Sequence, residues 1–316
     1  MKIIFIDTVH PLLKKKLEKE NHICDIAYDK SKIEIEQIIS NYQGVIIRSK
    51  FKIDKQFIDR GSKLKFIARA GSGLENIDLN YARSKNIHCF NAPEGNRQAV
   101  AEHTLGMLLS LFNNLNRADQ QVRNGIWKRE ENRGIELDGK TIGIIGYGNN
   151  GSAFAQLLKG FDVNILAYDK YLKEYPYKST MEHIYKHADI LSLHIPLTEK
   201  TMYLVNNNFI SSFKKDIYLI NTARGKCVNT KHLAVALKNG KIKGACLDVL
   251  EHEETSFENL NKEQLTDDIR YLITAKNIIL TPHIAGWTHE SNIKIAKILY
   301  AKINNLLAQK INSNKL

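Results

Sequence analysis

The chain has 316 residues, of which 43% are hydrophobic and 25% are charged, and its formal net charge is +12 at pH 7. This composition is typical of an ordinary soluble globular protein, long enough for about two domains with large buried cores. No apolar run approaches the ~20 residues that cross a bilayer. The four cysteines are scattered without Cys-x-x-Cys spacing, which argues against a disulfide framework or a zinc site. We therefore expect a cytoplasmic protein with no membrane segment and no bound metal.

The basic charge raises the question of a nucleic-acid partner. The lysines are spread along the chain, and no recognition helix, zinc finger or aromatic RNA-binding signature accompanies them. We expect solvated lysine-rich faces and no nucleic acid. A basic field of this kind also attracts small anionic substrates.

The first ninety residues alternate short apolar strands with helical patterns, which favours parallel strands joined by crossover helices. The predicted strands are 3–6, 44–48, 66–68 and 87–90, and the predicted helices are 11–20, 33–41 and 55–60. A single long helix is predicted from residue 99 to about 122, with apolar side chains at helical spacing.

Strand–helix alternation resumes after residue 140, with further strands predicted at 190–194, 217–221, 244–248 and 278–280, and a last helix at about 290–309. We predict an α/β protein with two doubly wound parallel-sheet domains, between which the chain crosses twice. Residues 1–95 and 290–316 form one domain and residues 96–289 the other. Because ligands of open parallel sheets bind at the carboxyl ends of the strands, the reaction is expected in a cleft between the domains.

A Gly-x-Gly-x-x-Gly turn joins an apolar strand to a helix at Gly146, Gly148 and Gly151. In such a unit the first glycine permits the tight turn, the second lets a pyrophosphate approach the backbone, and the third lets helix and strand pack closely. The helix N-terminus then offers unpaired N–H groups to the phosphates. Asp169, eighteen positions after Gly151, lies where a carboxylate binds the adenosine ribose. This pattern predicts NAD, and it disfavours NADP because the acid would repel a 2′-phosphate.

Three later segments place Arg224, Asp248 and His283 at or just beyond predicted strands, with Glu253 five residues after Asp248. Each segment alone is more often structural, but together they could supply hydride transfer to or from a 2-hydroxy acid. An imidazole takes the hydroxyl proton, a carboxylate orients the ring, and a guanidinium binds the substrate carboxylate. The acidic run around Glu253 lacks a second His/Cys cluster, so we expect no metal there.

With these segments the chain resembles the D-isomer-specific 2-hydroxyacid dehydrogenase family over nearly its whole length. The matching motifs are residues 69–78, 91–96, 99–102, 193–198, 221–225 and 281–283. The resemblance implies a Rossmann-type NAD domain and a flavodoxin-like substrate domain. It assigns catalysis to Arg224, Glu253 and His283. It places NAD contacts at Gly146, Gly148, Asn149, Asn150, Gly151, Asp169, His194, Pro196, Thr222, Ala223, Arg224, Asp248, His283 and Gly286, with Asp248 at the nicotinamide carboxamide.

The resemblance also implies a substrate site. The Gly71-Ser72-Gly73 turn matches a loop whose N–H groups hold the substrate carboxylate, as a backbone nest can. Arg48, Ser49 and Arg69 resemble positions near the substrate phosphate in members that act on D-3-phosphoglycerate, and arginine binds phosphate bidentately. We therefore expect oxidation of D-3-phosphoglycerate to 3-phosphohydroxypyruvate, the first step of serine synthesis. Glycerate or hydroxypyruvate, glyoxylate and D-lactate remain alternative substrates, and a non-catalytic, NAD-sensing corepressor-like role remains an alternative function.

The chain also departs from the family pattern. Asn149 and Asn150 replace a basic and an apolar residue, and Glu254 stands where a proline is expected. Residues 255–276 form a longer segment with a helical pattern at 261–273, a candidate cover for the active site or an interface. We expect no regulatory domain after the last helix and therefore no serine feedback. The resemblance implies a homodimer packed through the helix at 99–122.

Overall fold

The computed structural model describes residues 1–253 and 266–313, which form two compact units. The first unit contains residues 1–96 and 287–313, and the second contains residues 97–253 and 266–286. The chain therefore passes from the first unit to the second and back again.

The first unit is built on a five-stranded parallel sheet in the order β2-β1-β3-β4-β5. This is the flavodoxin-like order, as expected from the sequence. Its strands are β1 (Lys2–Phe5), β2 (Ile23–Ile26), β3 (Gly44–Ile47), β4 (Phe66–Arg69) and β5 (His88–Phe90). Its helices are α1 (Pro11–Lys19), α2 (Lys32–Ile38), α3 (Lys55–Arg60), α4 (Leu79–Ser84) and the returning α12 (His289–Ser313).

The central strands of this sheet are apolar on both faces because helices cover both. On one face Ile4 and Val45 lie in a buried cluster that includes Ile35 and Phe57 of the crossover helices. On the other face Phe5, Ile46 and Phe66 share a cluster with α1 and with the inner side of α12. The last helix thus completes the hydrophobic core of the unit in which the chain begins.

The second unit is built on a six-stranded parallel sheet in the order β11-β10-β9-β8-β6-β7. Its strands are β6 (Thr141–Ile145), β7 (Asn164–Tyr168), β8 (Ile190–Leu193), β9 (Ile217–Asn221), β10 (Ile242–Leu247) and β11 (Ile278–Leu280). Its helices are α5 (Pro93–Phe112, which begins in the first unit), α6 (Leu115–Arg123), α7 (Asn149–Leu157), α8 (Met181–His187), α9 (Asn207–Ser211), α10 (Thr230–Lys238) and α11 (Asp267–Thr274). Strand order reverses between β6 and β8, which is where open sheets of this kind bind ligands.

The predicted single helix from residue 99 to 122 is wrong: the structure has two helices, α5 and α6. Asn114 lies between them in the left-handed region at φ 53° and ends the α-helical path. Asparagine adopts this conformation more readily than most residues, so the break has a local cause that apolar periodicity does not reveal.

Within the first unit, β2 and α4 were not predicted. The predicted helix at 261–273 is represented by α11; residues 261–265, Glu254 and the start of the 255–276 segment lie outside the described residues. Within the described ranges no helix combines the length and apolar character needed to cross a bilayer.

Candidate active site

The glycine turn after β6 is shaped by the chain's own packing at two of its three glycines. Gly146 has a φ of 91°, and a Cβ there would lie 2.4 Å from the carbonyl oxygen of His194. A Cβ on Gly151 would lie 1.9 Å from the carbonyl oxygen of Gly146. Both contacts are far too short for a side chain, so α7 can begin here only with glycine at these positions.

Gly148 is different, because a Cβ there would meet no described atom within 4 Å. Gly148 is also the N-cap of α7, and no side chain caps this helix end. The first N–H groups of α7 therefore receive no side-chain acceptor at the positive end of the helix dipole, and the space beside Gly148 is open. This arrangement fits the pyrophosphate of a dinucleotide, which accepts such hydrogen bonds.

Asp169 follows β7 and is tied to the same turn. Its Oδ2 accepts a hydrogen bond from the Tyr147 N–H at 2.8 Å, and its Oδ1 accepts from Tyr171 and Leu172 at 2.8 and 3.0 Å. Burial opposes the charge on this carboxyl, but the three N–H donors outweigh burial and lower the pKa of Asp169. The residue predicted to bind ribose thus also fixes the carboxyl ends of β6 and β7 relative to each other.

His194 lies at the carboxyl end of β8, beside Gly146. Its Nε2 is 2.9 Å from the Ser192 hydroxyl, and burial lowers the pKa of the ring to about 4. Its Nδ1 is buried without a hydrogen-bond partner among the described residues, as is Oδ1 of Asn150 at the start of α7. Nearby, the Pro196 carbonyl accepts a hydrogen bond from Thr201. Two unsatisfied polar atoms next to the glycine turn are what a site for a polar ligand requires.

The loop after β9 carries Thr222, Ala223 and Arg224. The hydroxyls of Thr222 and Thr104 are 3.0 Å apart, and the Asn221 side chain accepts from the Ala223 N–H. One guanidinium nitrogen of Arg224 donates to the Ala223 carbonyl at 2.7 Å. The loop packs tightly below Arg224, since a Cβ on Gly225 would lie 1.9 Å from the Leu250 carbonyl oxygen.

His283 and Glu253 form the pair that the sequence predicted. The Nδ1 of His283 is 2.6 Å from Oε2 of Glu253, and the other Glu253 oxygen accepts from the Leu250 N–H. Both side chains are largely buried, which strengthens a charge-assisted hydrogen bond. Because a carboxylate can only accept, this contact uses a proton on Nδ1 of His283.

The backbone of His283 is strained, with φ at 55° in the left-handed region. A non-glycine residue in this region costs of order 1–3 kcal/mol and is held there by its surroundings. Asp248 provides that hold. Its carbonyl accepts from the His283 N–H at 2.8 Å, and its carboxylate accepts from the N–H groups of Ile284 and Ala285 at 2.8 and 2.9 Å.

Asp248 is only 1% exposed, and its Oδ1 also accepts from the Thr281 hydroxyl at 2.6 Å. The residue expected at the nicotinamide carboxamide is thus engaged in holding the Thr281–Gly286 turn. Its contact with the nicotinamide stays a prediction, as does that of Gly286.

The first unit contains the residues predicted to bind substrate. At the end of β1, Asp7 Oδ2 accepts from the N–H groups of Arg48, Ser49 and Lys50 at 3.0, 2.7 and 2.9 Å. The Arg48 guanidinium carbon lies 4.6 Å from the ring centroid of Trp287, a cation–π contact. Asp7 and Trp287 were not predicted; an acid at the end of a buried first strand was the available signal for Asp7.

Arg69 is buried under the predicted carboxylate-binding turn. It is 8% exposed, and it donates to the carbonyls of Arg48 at 2.9 Å and Gly73 at 3.2 Å. A Cβ on Gly71 would lie 2.6 Å from a guanidinium nitrogen of Arg69, and Ser72 donates to Asn96 at 2.6 Å. Arg69 therefore supports the loops that carry Arg48 and Gly71–Gly73, a role that sequence reasoning missed.

Comparison with known proteins agrees with this arrangement. Residues 105–285 match the model of the D-isomer specific 2-hydroxyacid dehydrogenase, NAD binding domain. The chain belongs to the D-isomer-specific 2-hydroxyacid dehydrogenase family. Its second unit is the NAD-binding domain of that family, which contains the glycine turn and the His283–Glu253 pair.

Individual family members resemble the chain over most of its length. A D-3-phosphoglycerate dehydrogenase of Methanocaldococcus jannaschii is 34% identical over 99% of the chain and 59% of its own length. A hydroxypyruvate reductase of Thermotoga maritima is 35% identical over 86% of the chain and 87% of its own length. A crystal structure of D-lactate dehydrogenase from Aquifex aeolicus, complexed with NAD and lactic acid, is 27% identical with a TM-score of 0.83, covering 100% and 98% of the two chains. The chain spans a little over half the length of the phosphoglycerate dehydrogenases it matches first.

Proposed function

We propose that this protein is an NAD-dependent D-2-hydroxyacid dehydrogenase that oxidises D-3-phosphoglycerate to 3-phosphohydroxypyruvate. The observation that carries the proposal is the 2.6 Å contact between His283 and Glu253 in the NAD-binding unit of the family. The carbon that carries the hydroxyl can lose hydride to form a carbonyl only if the hydroxyl proton is also removed, and a buried imidazole–carboxylate pair is suited to removing it.

The proposed chemistry assigns one task to each residue. The glycine turn and Asp169 would hold NAD, which would supply the acceptor for the hydride of substrate C2. His283 keeps a proton on Nδ1, which it donates in a hydrogen bond to Glu253, and it takes the substrate hydroxyl proton at Nε2. In the reverse direction it returns that proton to the substrate. Glu253 stabilises the imidazolium that forms. Arg224 binds the substrate carboxylate and stabilises charge on the reacting oxygen.

The cofactor assignment is supported by the fit of the glycine turn. Gly148 leaves room at an uncapped helix N-terminus for the pyrophosphate, and the Asp169 carboxylate lies at the end of β7 for the ribose. Asn149, Asn150, His194, Pro196, Thr222 and Ala223 are the other proposed contacts.

Phosphoglycerate is proposed because of Arg48 and the names of relatives. The D-3-phosphoglycerate dehydrogenases among them include those of M. jannaschii and Bacillus subtilis, but a hydroxypyruvate reductase is as similar. Arg48 is the stronger candidate for direct phosphate contact, with its guanidinium stacked on Trp287. Arg69 is proposed to act through the loops that it supports.

The substrate proposal is tested by comparing phosphoglycerate with glycerate, which differs by the phosphate alone. Arg48→Ala should raise KM for phosphoglycerate by about 10- to 100-fold and change that for glycerate little, since losing a charge-assisted contact costs ~1.5–3 kcal/mol. Arg60→Ala, an exposed arginine of the same unit, is the control. Equal losses on both substrates would remove the phosphate assignment without affecting the dehydrogenase proposal.

A homodimer in the cytoplasm completes the proposal. No residue of α6 is buried, and Leu115 and Val122 are 54% and 53% exposed, which leaves apolar side chains that a second copy of the chain could cover. The four cysteines are free thiols, which suits a reducing compartment. A solution mass equal to one chain at micromolar concentration would exclude the dimer.

A further inference from the structure

We propose that His103 is a positioning residue for His283, acting through Thr281 and Asp248. The inference rests on the proposed function, in which His283 exchanges the substrate proton. His103 belongs to α5, and its ring contacts the turn that carries His283 although the two residues are far apart in sequence.

A continuous series of hydrogen bonds connects His103 to Asp248 through Thr281. His103 Nε2 lies 3.0 Å from the Thr281 hydroxyl, and the Thr281 hydroxyl lies 2.6 Å from Asp248 Oδ1. His103 Nε2 is also 3.6 Å from the same carboxylate oxygen. Asp248 in turn accepts from the N–H groups of Ile284 and Ala285, the two residues after His283.

The available protons determine which group donates in each hydrogen bond between His103, Thr281 and Asp248. The Asp248 carboxylate can only accept, and at 2.6 Å it is a stronger acceptor for the Thr281 hydroxyl than the weakly accepting Met107 sulfur at 3.7 Å, so the single Thr281 hydroxyl proton is directed to Asp248. The Thr281 oxygen must then accept from His103, which requires a proton on His103 Nε2. The ring therefore adopts the Nε2–H form, whether or not it carries a second proton on Nδ1.

These hydrogen bonds stabilise the turn that carries His283, whose backbone is strained. His283 has φ 55°, and the N–H groups of His283, Ile284 and Ala285 all donate to Asp248. The His283 N–H donates to the main-chain carbonyl of Asp248, and the Asp248 carboxylate must keep one orientation to hold Ile284 and Ala285. Thr281, directed by His103, fixes that orientation from the side of α5, and so fixes where the His283 ring points relative to Glu253.

Two variants of His103 separate hydrogen bonding from packing. His103→Leu fills similar space without a donor, whereas His103→Gln places a donor near the position of Nε2. We expect kcat to fall by about tenfold or more in His103→Leu, because small misplacements of a catalytic group are costly. KM for the 2-hydroxy acid should change less, and His103→Gln should recover most of kcat. His183→Gln, at an exposed position of α8, is the control.

The result that overturns the proposal is equal kcat in His103→Leu and wild type, or a His103→Gln variant as slow as His103→Leu. The latter would mean that ring packing alone matters. Thr281→Val and Thr281→Ser provide a second pair, since only serine retains the hydroxyl. Thermal unfolding midpoints of all variants show whether a loss of rate is only a loss of folded protein.

A measurement independent of activity tests the hydrogen-bond chain itself. In protein labelled with 15N-histidine, nuclear magnetic resonance should show the His103 ring, assigned by its loss in His103→Gln, protonated at Nε2. Thr281→Val should shift the resonances of both His103 and His283. A His103 ring protonated only at Nδ1, or a His283 ring indifferent to Thr281→Val, would overturn the proposal. If wild type oxidises no 2-hydroxy acid, the proposed function fails, while this measurement still decides the contact.

Discussion

At the scale of single residues, two neighbouring carboxylates of the site have different roles, one catalytic and one structural. Glu253 contacts the imidazole of His283, whereas Glu251, two positions earlier, accepts from the Tyr203 hydroxyl at 2.8 Å and the Thr230 N–H at 3.0 Å. Two acids in one short loop thus have different partners, and each provides a control for the other.

Glu253→Gln should lower kcat by about 10²–10³-fold, because an amide cannot stabilise the imidazolium that forms when His283 takes the proton. Glu251→Gln should keep kcat within a few fold and lower the unfolding midpoint instead. Steady-state kinetics with NAD and thermal unfolding of both variants make the comparison. Normal kcat in Glu253→Gln would contradict the role given to the pair.

His194 predicts a pH dependence of stability. Burial lowers its pKa from the ordinary 6.5 to about 4, so the unfolded chain binds this proton at a higher pH than the folded one. The stability that depends on the neutral ring is fully present above about pH 6.5 and is lost as pH falls toward about 4. Urea midpoints of wild type should therefore fall more steeply over this window than those of His194→Gln.

His88→Gln, which removes an exposed histidine, is the control for that experiment. If wild type and His194→Gln lose stability in parallel below about pH 6.5, His194 is not held neutral by the fold.

At the scale of elements, the strand–turn–helix unit from β6 to α7 makes the sharpest prediction. Gly148→Ala should fold normally, since its Cβ meets no described atom within 4 Å, but should bind NAD at least tenfold more weakly if the pyrophosphate approaches there. Gly151→Ala should instead lower the unfolding midpoint, because its Cβ would lie 1.9 Å from the Gly146 oxygen.

Gly160→Ala, another position with open space around its Cβ, is the control. Isothermal titration with NAD and thermal unfolding separate the two effects. Unchanged NAD affinity in Gly148→Ala would show that the cofactor does not lie against this glycine.

The elements also show what sequence patterns can predict. β6, β8 and β9 were predictable because they are continuous buried apolar runs. β2 was missed because it is an edge strand in which Ile23 and Ile26 are 61% and 54% exposed. The break at Asn114 was missed because apolar periodicity continues across it, while the left-handed backbone that ends α5 is a property of one residue.

At the scale of the whole molecule, strand–helix alternation predicted both parallel sheets, and family motifs predicted the His283–Glu253 pair. The supporting residues could not be found in the same way. His103 and Thr281 are separated by 178 positions, so only the fold brings α5 beside the turn after β11. Arg69 was expected at a phosphate because its position was recognised, but its burial under the Gly71–Gly73 turn follows from tertiary packing.

The most direct test of the account is a substrate panel with NAD, following the absorbance of reduced nicotinamide, for wild type and His283→Ala. The panel contains D-3-phosphoglycerate, D-glycerate, glycolate and D-lactate, with the L-isomers of glycerate and lactate as controls. We predict that wild type reduces NAD with D-isomers only and most efficiently with phosphoglycerate, and that His283→Ala loses about 10³-fold or more of kcat. A wild-type protein that binds NAD but reduces none with any member of the panel would contradict it.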